Sequence, residues 1–492
     1  MKKSKIQRPL IKLLVWVSLL IAPSFSQAEM AEEPFLKTDF NPTKMQILDH
    51  GSASLVKRIQ LIRGAQKSIE LESFIFNTDT SGKIIAQELV KKSHEGVNVR
   101  ILVDASAVVF RLNPFYAQEF QKNKIEVRYY NTAYSLSKKA ILYRNHRKLL
   151  VVDDLYAIVG GRNIADEYFD LSERYNFLDR DLLVEGIIVK TMRLSFDQFW
   201  NSPMVSRPDF KITERPKLKK EAKDHKADTQ NEMLYDSWKH NIFLAKNFLK
   251  ADSQTTQLTQ NLIDLTKPIL QNSPLRTCNH TVFASDRPGV SHERILLEQI
   301  EKTLRATQSS LIADSPYLIL QKYGLNIISD LLKKGVDLSI LTNSLHSTDA
   351  FYTIPLFIDS VIQPIREGAK IYIYTGELVD SYPTVLKNHD EIRWGVHAKT
   401  AVIDHKHIMV GSFNADPRSS YLNSELDVFC FDSPELAHDL EENIQRRLKK
   451  AVQLDQNAQP IDGRGIFFGT SQVKRLMYFI SNPVTPFIEN LL

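Results

Sequence analysis

HRKLLVVDDLYAIVGGRN, residues 146–163, returns as HAKTAVIDHKHIMVGSFN at residues 397–414. In both copies a His is followed two residues later by Lys, seven later by Asp, fourteen later by Gly and seventeen later by Asn. Apolar, β-branched alternation at 149–152 and 400–403 predicts a strand in each copy. Side chains two apart on a strand share a face, so His146 points with Lys148, and His397 with Lys399. The turn candidates Asp153-Asp154 and Asp404-His405 lead into second short strands at 155–159 and 407–410. Gly160-Gly161 and Gly411-Ser412 then permit a tight bend ahead of Asn163 and Asn414. Each copy is predicted to be a hairpin that presents His, Lys and Asn.

One copy supplies a single imidazole. Moving a phosphoryl group through a covalent intermediate takes two, one to attack phosphorus and one to protonate the departing alcohol. Two copies complete the set, and the pattern H-x-K-x4-D-x6-G-G/S-x-N occurring twice resembles the phospholipase D superfamily. Flanking stretches extend the resemblance: LIRGAQKSIELESFIF at 61–76, EGVNVRILVD at 95–104, GGRNIADEYF at 160–169, FDQFWNS at 196–202 and GSFNADPRSSYLNSEL at 411–426. They are similar to the bacterial branch that holds phospholipases D and cardiolipin synthases, the type C synthases above all. The likeness spans most of residues 50–435.

The resemblance implies an α/β chain of two similar phospholipase D-type lobes. Each would be a mixed, mainly parallel sheet flanked by helices, with one active site at the pseudo-twofold interface. Strand, helix and strand patterns at 68–76, 83–93 and 97–103 recur at 310–314, 324–334 and 336–341, which fits a right-handed parallel crossover in each lobe. The expected organisation is a signal peptide over 1–28, a first lobe over 29–205, a basic connector and helical linker over 206–275, a second lobe over 276–455 and a tail over 456–492. Residues 29–50 read as an irregular lead-in.

Roles follow from the resemblance. His146 is the expected nucleophile, forming a phosphohistidine, and His397 the expected general acid that later deprotonates the incoming water or alcohol; the motif symmetry leaves the order open to exchange. Lys148 and Lys399 would hold the non-bridging oxygens, with Asn163 and Asn414 adding hydrogen bonds. Asp153 and Asp404 belong to the same motif set but occupy turn positions, and are read as organising the hairpins. Gly160, Gly161, Gly411 and Ser412 shape the bends. Each His needs an acceptor to fix its tautomer, and the candidates are Glu425, which follows the second motif, and Asp181, which follows the first. The motifs contain no H-E-x-x-H, no paired Cys and no dense carboxylate set, so catalysis is expected without metal or cofactor.

The first 28 residues carry Lys2, Lys3, Lys5, Arg8 and Lys12, a short apolar run over 13–22 and Ser26-Gln27-Ala28. That order reads as a secretory signal peptide cleaved after Ala28, with an uncleaved anchor as the second reading. An exported protein, periplasmic or secreted and peripheral on a membrane, is expected. The leader holds five basic and no acidic side chains, so the net charge of +5 falls to zero over 29–492. Nothing global then argues for nucleic acid, which selects a basic surface. A phospholipid substrate at a membrane surface is the leading reading. An exported nuclease using the same histidines is the alternative, and a catalytically silent scaffold is opposed by two complete motifs. With both motifs in one chain, a monomer suffices.

Residues 207–226 hold eight Lys or Arg against four Asp or Glu and read as a solvated connector. Cys278 and Cys430 are too few for a disulfide scaffold. They would be able to pair in an oxidising compartment, but the apolar run 428–431 makes Cys430 a core residue first, and the unpaired reading is favoured. Residues 473–480 are amphipathic enough to lie on a bilayer, while a lobe-packing helix explains the same pattern and is the simpler reading.

Overall fold

The computed structural model describes residues 33–106, 110–132, 142–217, 225–289, 293–379 and 382–483. The expected leader lies outside them. Two nine-stranded sheets carry the chain, built to one plan. In the first, the motif hairpin Leu149–Val152 and Tyr156–Gly160 lies between Ser68–Ser73 on one side and Asp181–Glu185 on the other. In the second, Thr400–Ile403 and His407–Gly411 lie between Ser310–Asp314 and Leu426–Phe431.

Parallel pairing does not dominate the sheets as expected. It is confined to Ser68–Ser73, Asn98–Asp104 and Ile125–Tyr130 in the first lobe, and to Ser310–Asp314, Asp337–Asn343 and Lys370–Tyr374 in the second. These parallel neighbours are joined by helical crossovers, Thr80–His94 and Pro114–Lys122 in one lobe, Lys322–Lys333 and Ile354–Arg366 in the other. The two strands of each motif hairpin run antiparallel because a two-residue turn can join only antiparallel neighbours, and the strands flanking the hairpins are antiparallel to them as well.

The described part of the lead-in, residues 33–50, contains strands where irregular chain was expected. Leu36–Asp39 pairs with His280–Ser285 of the second sheet, while Arg276–Cys278 pairs with Thr43–Leu48 of the first. Each lobe thus lends one edge strand to the other, and the boundary drawn at 275/276 cuts through the exchange. Cys278 and Cys430 are joined by a disulfide, correcting the reading of two separate thiols. It ties the lent strand in the first sheet to Leu426–Phe431 of the second. The linker forms the helices His225–Leu249 and Ser253–Asn272, and Ala245, Phe248 and Leu262 are buried in the first lobe's core.

Strand alternation sorts the side chains. Leu150 and Val152 enter the outer core of the first lobe, while Leu149 and Val151 face a core shared by both sheets with Val402, Val410, Leu426 and Val428. The shared core brings the two motif hairpins together. A buried ionic network locks the same junction: Arg180 pairs with Asp314 at 2.9 Å and with Asp49, and Arg447 of helix Pro434–Leu448 pairs with the same two carboxylates.

Candidate active site

The motif aspartates lie at the far ends of the hairpins. Asp153 and Asp154 have φ of 56° and 59°, and Asp404 and His405 have 51° and 55°, the paired left-handed residues of a tight hairpin turn. The Asp153 carboxylate accepts the backbone N–H of Gln66, Lys67 and Ser68, and that of Asp404 accepts those of Gln308, Ser309 and Ser310. Each aspartate fastens its turn to the start of the neighbouring strand. Neither reaches the histidines.

The opposite ends of the hairpins meet. The backbone N–H of His146 donates to the carbonyl of Ser424, and that of Ser424 donates to the carbonyl of Arg144, at 3.0 and 2.9 Å. Symmetrically, Arg393–Val396 pairs with Tyr175–Leu178 in a two-stranded parallel ribbon, and the N–H of His397 donates to the carbonyl of Leu178. Each motif histidine is stitched to the segment just ahead of the other lobe's orienting carboxylate.

Those carboxylates are Glu425 and Asp179. Both oxygens of Glu425 lie 2.9 Å from Nδ1 of His146, and Asp179 Oδ2 lies 2.6 Å from Nδ1 of His397. Each carboxylate takes an Nδ1–H, which leaves Nε2 of each ring for chemistry. The pairing crosses the lobes, so Glu425, which follows the second motif, serves the first motif's histidine. Asp181, expected in this role, instead binds Ser54, Arg58 and Arg162. The sheet register sets the equivalence: Asp179-Arg180-Asp181 aligns with Glu425-Leu426-Asp427, since Asp181 pairs with Gly160 as Asp427 pairs with Gly411. The counterpart of Glu425 is therefore Asp179.

The bend residues make room for these carboxylates. A Cβ on Gly161 would collide with the Asp179 carboxylate, one on Gly160 with Asp181 and the Arg180 carbonyl, and one on Gly411 with Asp427 and the Leu426 carbonyl. Where the first lobe has Gly161, the second has Ser412, whose hydroxyl donates to Glu425 at 2.5 Å. Ser419 and Asn423 add donors to the other oxygen at 2.8 and 3.1 Å.

Lys148 and Lys399 are buried beside the histidines, each ammonium donating to its own His carbonyl. Lys399 Nζ is also 2.8 Å from Nδ1 of His397. Asn163 Oδ1 accepts the N–H of Ile75, while Asn414 Oδ1 is buried with no partner among the described residues. The rings are framed by aromatics, Phe74 against His146 and Tyr168 and Phe177 against His397.

Burial pushes His146 down to about 4; Glu425 pulls it up while Lys148 and Lys399 push it further down. Burial and Lys399 hold His397 at about 3 against Asp179. Lys148 falls well below its ordinary value, first through burial and then through Lys399, and burial brings Lys399 to about 8. Burial also raises Glu425 and Asp179, but their histidine and lysine neighbours outweigh it and hold both below the usual carboxylate range. Lys399 acts on His146 and Lys148 on His397, so the two motifs share one low-dielectric site. Two imidazoles, whose Nε2 atoms are not taken by the orienting carboxylates and one of which, on His397, lies 3.2 Å from the Lys399 ammonium, and two ammonium groups can bind an anionic centre and pass a group across it.

Known proteins resemble this chain in sequence and fold. The family described as cardiolipin synthase, PLD-like domain, matches residues 58–200 and 300–448, one match per lobe. An uncharacterized protein of Helicobacter pylori is 31% identical over 416 residues, 82% of this chain and 78% of its own. Cardiolipin synthase C of Escherichia coli is 28% identical over 427 residues, 83% of this chain and 85% of its own. The crystal structure of a phosphatidylserine synthase from Haemophilus influenzae superposes with a TM-score of 0.61 at 15% identity, covering 92% of this chain and 98% of that one, and so shares the fold. The chain belongs to the cardiolipin synthase-type, PLD-like family of the phospholipase D superfamily, and is an enzyme of its phosphodiesterase and phosphatidyltransferase class.

Proposed function

We propose that the protein is an exported phosphatidyltransferase or phospholipase D that works on phospholipids at a membrane surface through a phosphohistidine. The observation that carries the chemistry is the crossed pairing of His146 with Glu425 and His397 with Asp179 around two lysines. Nε2 of His146 attacks phosphorus, the bond to the leaving alcohol breaks, and that alcohol takes its proton from His397. His397 then removes a proton from the incoming hydroxyl, which attacks phosphorus and releases His146. Lys148 and Lys399 offset charge on the non-bridging oxygens, and Asn414 offers its amide to the same centre.

With no substrate bound both imidazoles are neutral at pH 7, which suits the nucleophile. The acid must be charged, and an anionic phosphodiester between the lysines supplies the compensating field that raises His397. As the acceptor, water yields phosphatidic acid, whereas the glycerol hydroxyl of a phosphatidylglycerol yields cardiolipin.

The lipid reading is supported by helix Gln472–Ser481, which is turned inside out. Lys474 points inward and donates to the carbonyls of His346 and Thr348, with Tyr478 buried beside it. Val473, Leu476, Met477 and Ile480, one face of the helix, point outward with exposures of 72, 59, 40 and 58%. The expected lobe-packing helix would face the other way. An outward apolar stripe on a helix with no acidic residue fits a bilayer interface. Lys474 anchors the helix to the carbonyl of Thr348, next to Asp349, which feels the charge of Lys399.

Purified protein incubated with phosphatidylglycerol and phosphatidylethanolamine vesicles plus EDTA, followed by lipid mass spectrometry, tests the reading. Cardiolipin marks a synthase and phosphatidic acid alone a hydrolase, both abolished by His146→Ala or His397→Ala. Histidine-dependent loss of labelled DNA or RNA with no lipid product replaces the reading with the nuclease.

A further inference from the structure

The two lobes differ in side-chain size at four equivalent positions beside the motif hairpins. In the first, Leu71 pairs with Leu150 across the strands Ser68–Ser73 and Leu149–Val152. In the second, the same register pairs Ala313 with Ala401. One step further on, an isolated bridge joins Phe76 to Ile164 in the first lobe and Leu318 to Ala415 in the second. At all four positions the second lobe has the smaller side chain. The first-lobe residues are at most 3% exposed in a filled core. In the second lobe a cavity of about 170 Å³ stands in their place, between the sheet and helices Ile295–Arg305 and Lys322–Lys333.

All four small residues line this cavity, together with Ile300 and Ile327. Lys399 lines it too, so the cavity shares a wall with the group that would hold the phosphate. Close-packed cores do not leave such space without cost. An apolar cavity of about 150 Å³ stays dry and takes up hydrocarbon of benzene size.

We infer that the second lobe carries a slot for one hydrocarbon chain of the lipid substrate, opened by the four small residues and reached past Lys399. This rests on the lipid reading above. A chain lying there orients the diester relative to the two histidines without touching the reacting atoms. The equivalent first-lobe positions carry larger, buried side chains, so the slot makes a near-symmetric pair of motifs unequal toward an unsymmetric lipid.

The test restores first-lobe residues in the second lobe, as Ala313→Leu with Leu318→Phe, and as Leu318→Phe alone should the pair not fold by thermal melting. Rates are measured on phosphatidylglycerols of increasing chain length and on bis(4-nitrophenyl) phosphate, which has no chain. For the wild type, kcat/KM should rise with chain length and then level off. Filling the slot should lower kcat/KM on long-chain lipid at least about tenfold, the scale of a few misplaced methylenes in an apolar pocket, and leave the chainless diester unchanged. Equal long-chain rates in filled and wild-type protein, or equal losses on both substrates, overturn the slot alone. Wild-type turnover of the chainless diester with no turnover of any phosphatidylglycerol overturns the lipid reading on which it rests.

Discussion

Glu425 lies 2.9 Å from Nδ1 of His146, although 279 residues separate them and each belongs to a different lobe's motif region. Asp179 and His397 repeat the relationship in the opposite sense at 2.6 Å. A lobe taken alone would present a histidine without its acceptor. The crossed pairs make the junction between the lobes a condition of the chemistry, and the exchanged edge strands and the Arg180 and Arg447 network hold that junction.

Glu425→Gln should therefore disable His146 while leaving it in place. The amide keeps the shape but loses the charge that steadies an imidazolium and fixes the tautomer, as a carboxylate does in a serine protease triad. We expect kcat to fall by about 10²–10⁴-fold with the far-ultraviolet spectrum unchanged. Asp179→Asn should do the same through His397, whereas Asp181→Asn should act on stability through Arg58 and Arg162. Full activity in Asp179→Asn would refute the pairing.

Gly161→Ala tests the geometry from the other side. The added methyl takes the space of the Asp179 carboxylate, which must swing away from His397. Displacement by about 1 Å at a site of this kind costs about 10²-fold in rate. Gly64→Ala, where nothing lies within 4 Å of the new Cβ, is the matched control. Equal activity of the two variants would show that Asp179 has no positional constraint.

The motif hairpins were legible because everything that specifies them is local: alternation, a two-residue turn and a bend within eighteen residues. The carboxylate partners were half legible. Glu425 stood out by resemblance, but which histidine it serves depends on how the lobes face each other, and no short-range pattern encodes that. Asp181 follows the first motif, as Glu425 follows the second, but the sheet register that equates Asp181 with Asp427 makes Asp179 the counterpart of Glu425. The strand Leu36–Asp39 was missed because its partner lies about 240 residues away, and four residues give little periodicity. For helix Gln472–Ser481 periodicity revealed the apolar stripe. It does not say whether the stripe faces in or out.

Acid should weaken the fold partly through the two histidines. Their folded values of about 4 and 3 lie below the ordinary 6.5. Between pH 6.5 and 4 the unfolded chain binds protons there and the folded chain does not. Their contribution is thus full above about pH 6.5 and is lost as the pH falls, by at most about 1.4 kcal/mol per pH unit for each His. Asp286 and Asp416, both raised to about 7 chiefly by burial, act in the opposite direction over that range. The informative quantity is therefore a difference. The gap in Tm between wild type and His146→Asn should shift against the wild type from pH 7 to pH 4.5; a constant gap would deny the buried neutral state.

The disulfide closes a separation of 152 residues and joins a strand of the first sheet to one of the second. Closing so long a loop removes much of the unfolded chain's freedom, and a stabilisation of about 2–5 kcal/mol is expected. The double variant Cys278→Ala, Cys430→Ala should melt earlier than the oxidised protein. A reductant should lower the wild-type Tm and leave the variant's unchanged. Wild-type melting that ignores the reductant would show the pair to be unformed or energetically idle.

The outward stripe of helix Gln472–Ser481 makes the last prediction. Transfer of apolar surface from water to a bilayer interface is favourable by about 25 cal/mol per Å², and Val473, Leu476, Met477 and Ile480 offer that surface already exposed, without unfolding anything. Leu476→Glu with Ile480→Glu should reduce co-sedimentation with phosphatidylglycerol vesicles and slow turnover of vesicle-borne lipid, with no change on a soluble chainless diester. Both substitutions lie on the solvent side, so Tm should stay the same. A stripe that instead joins two copies of the chain would show itself as a wild-type dimer in sedimentation that the double variant dissolves, with vesicle binding intact, and that outcome would assign the face to self-association.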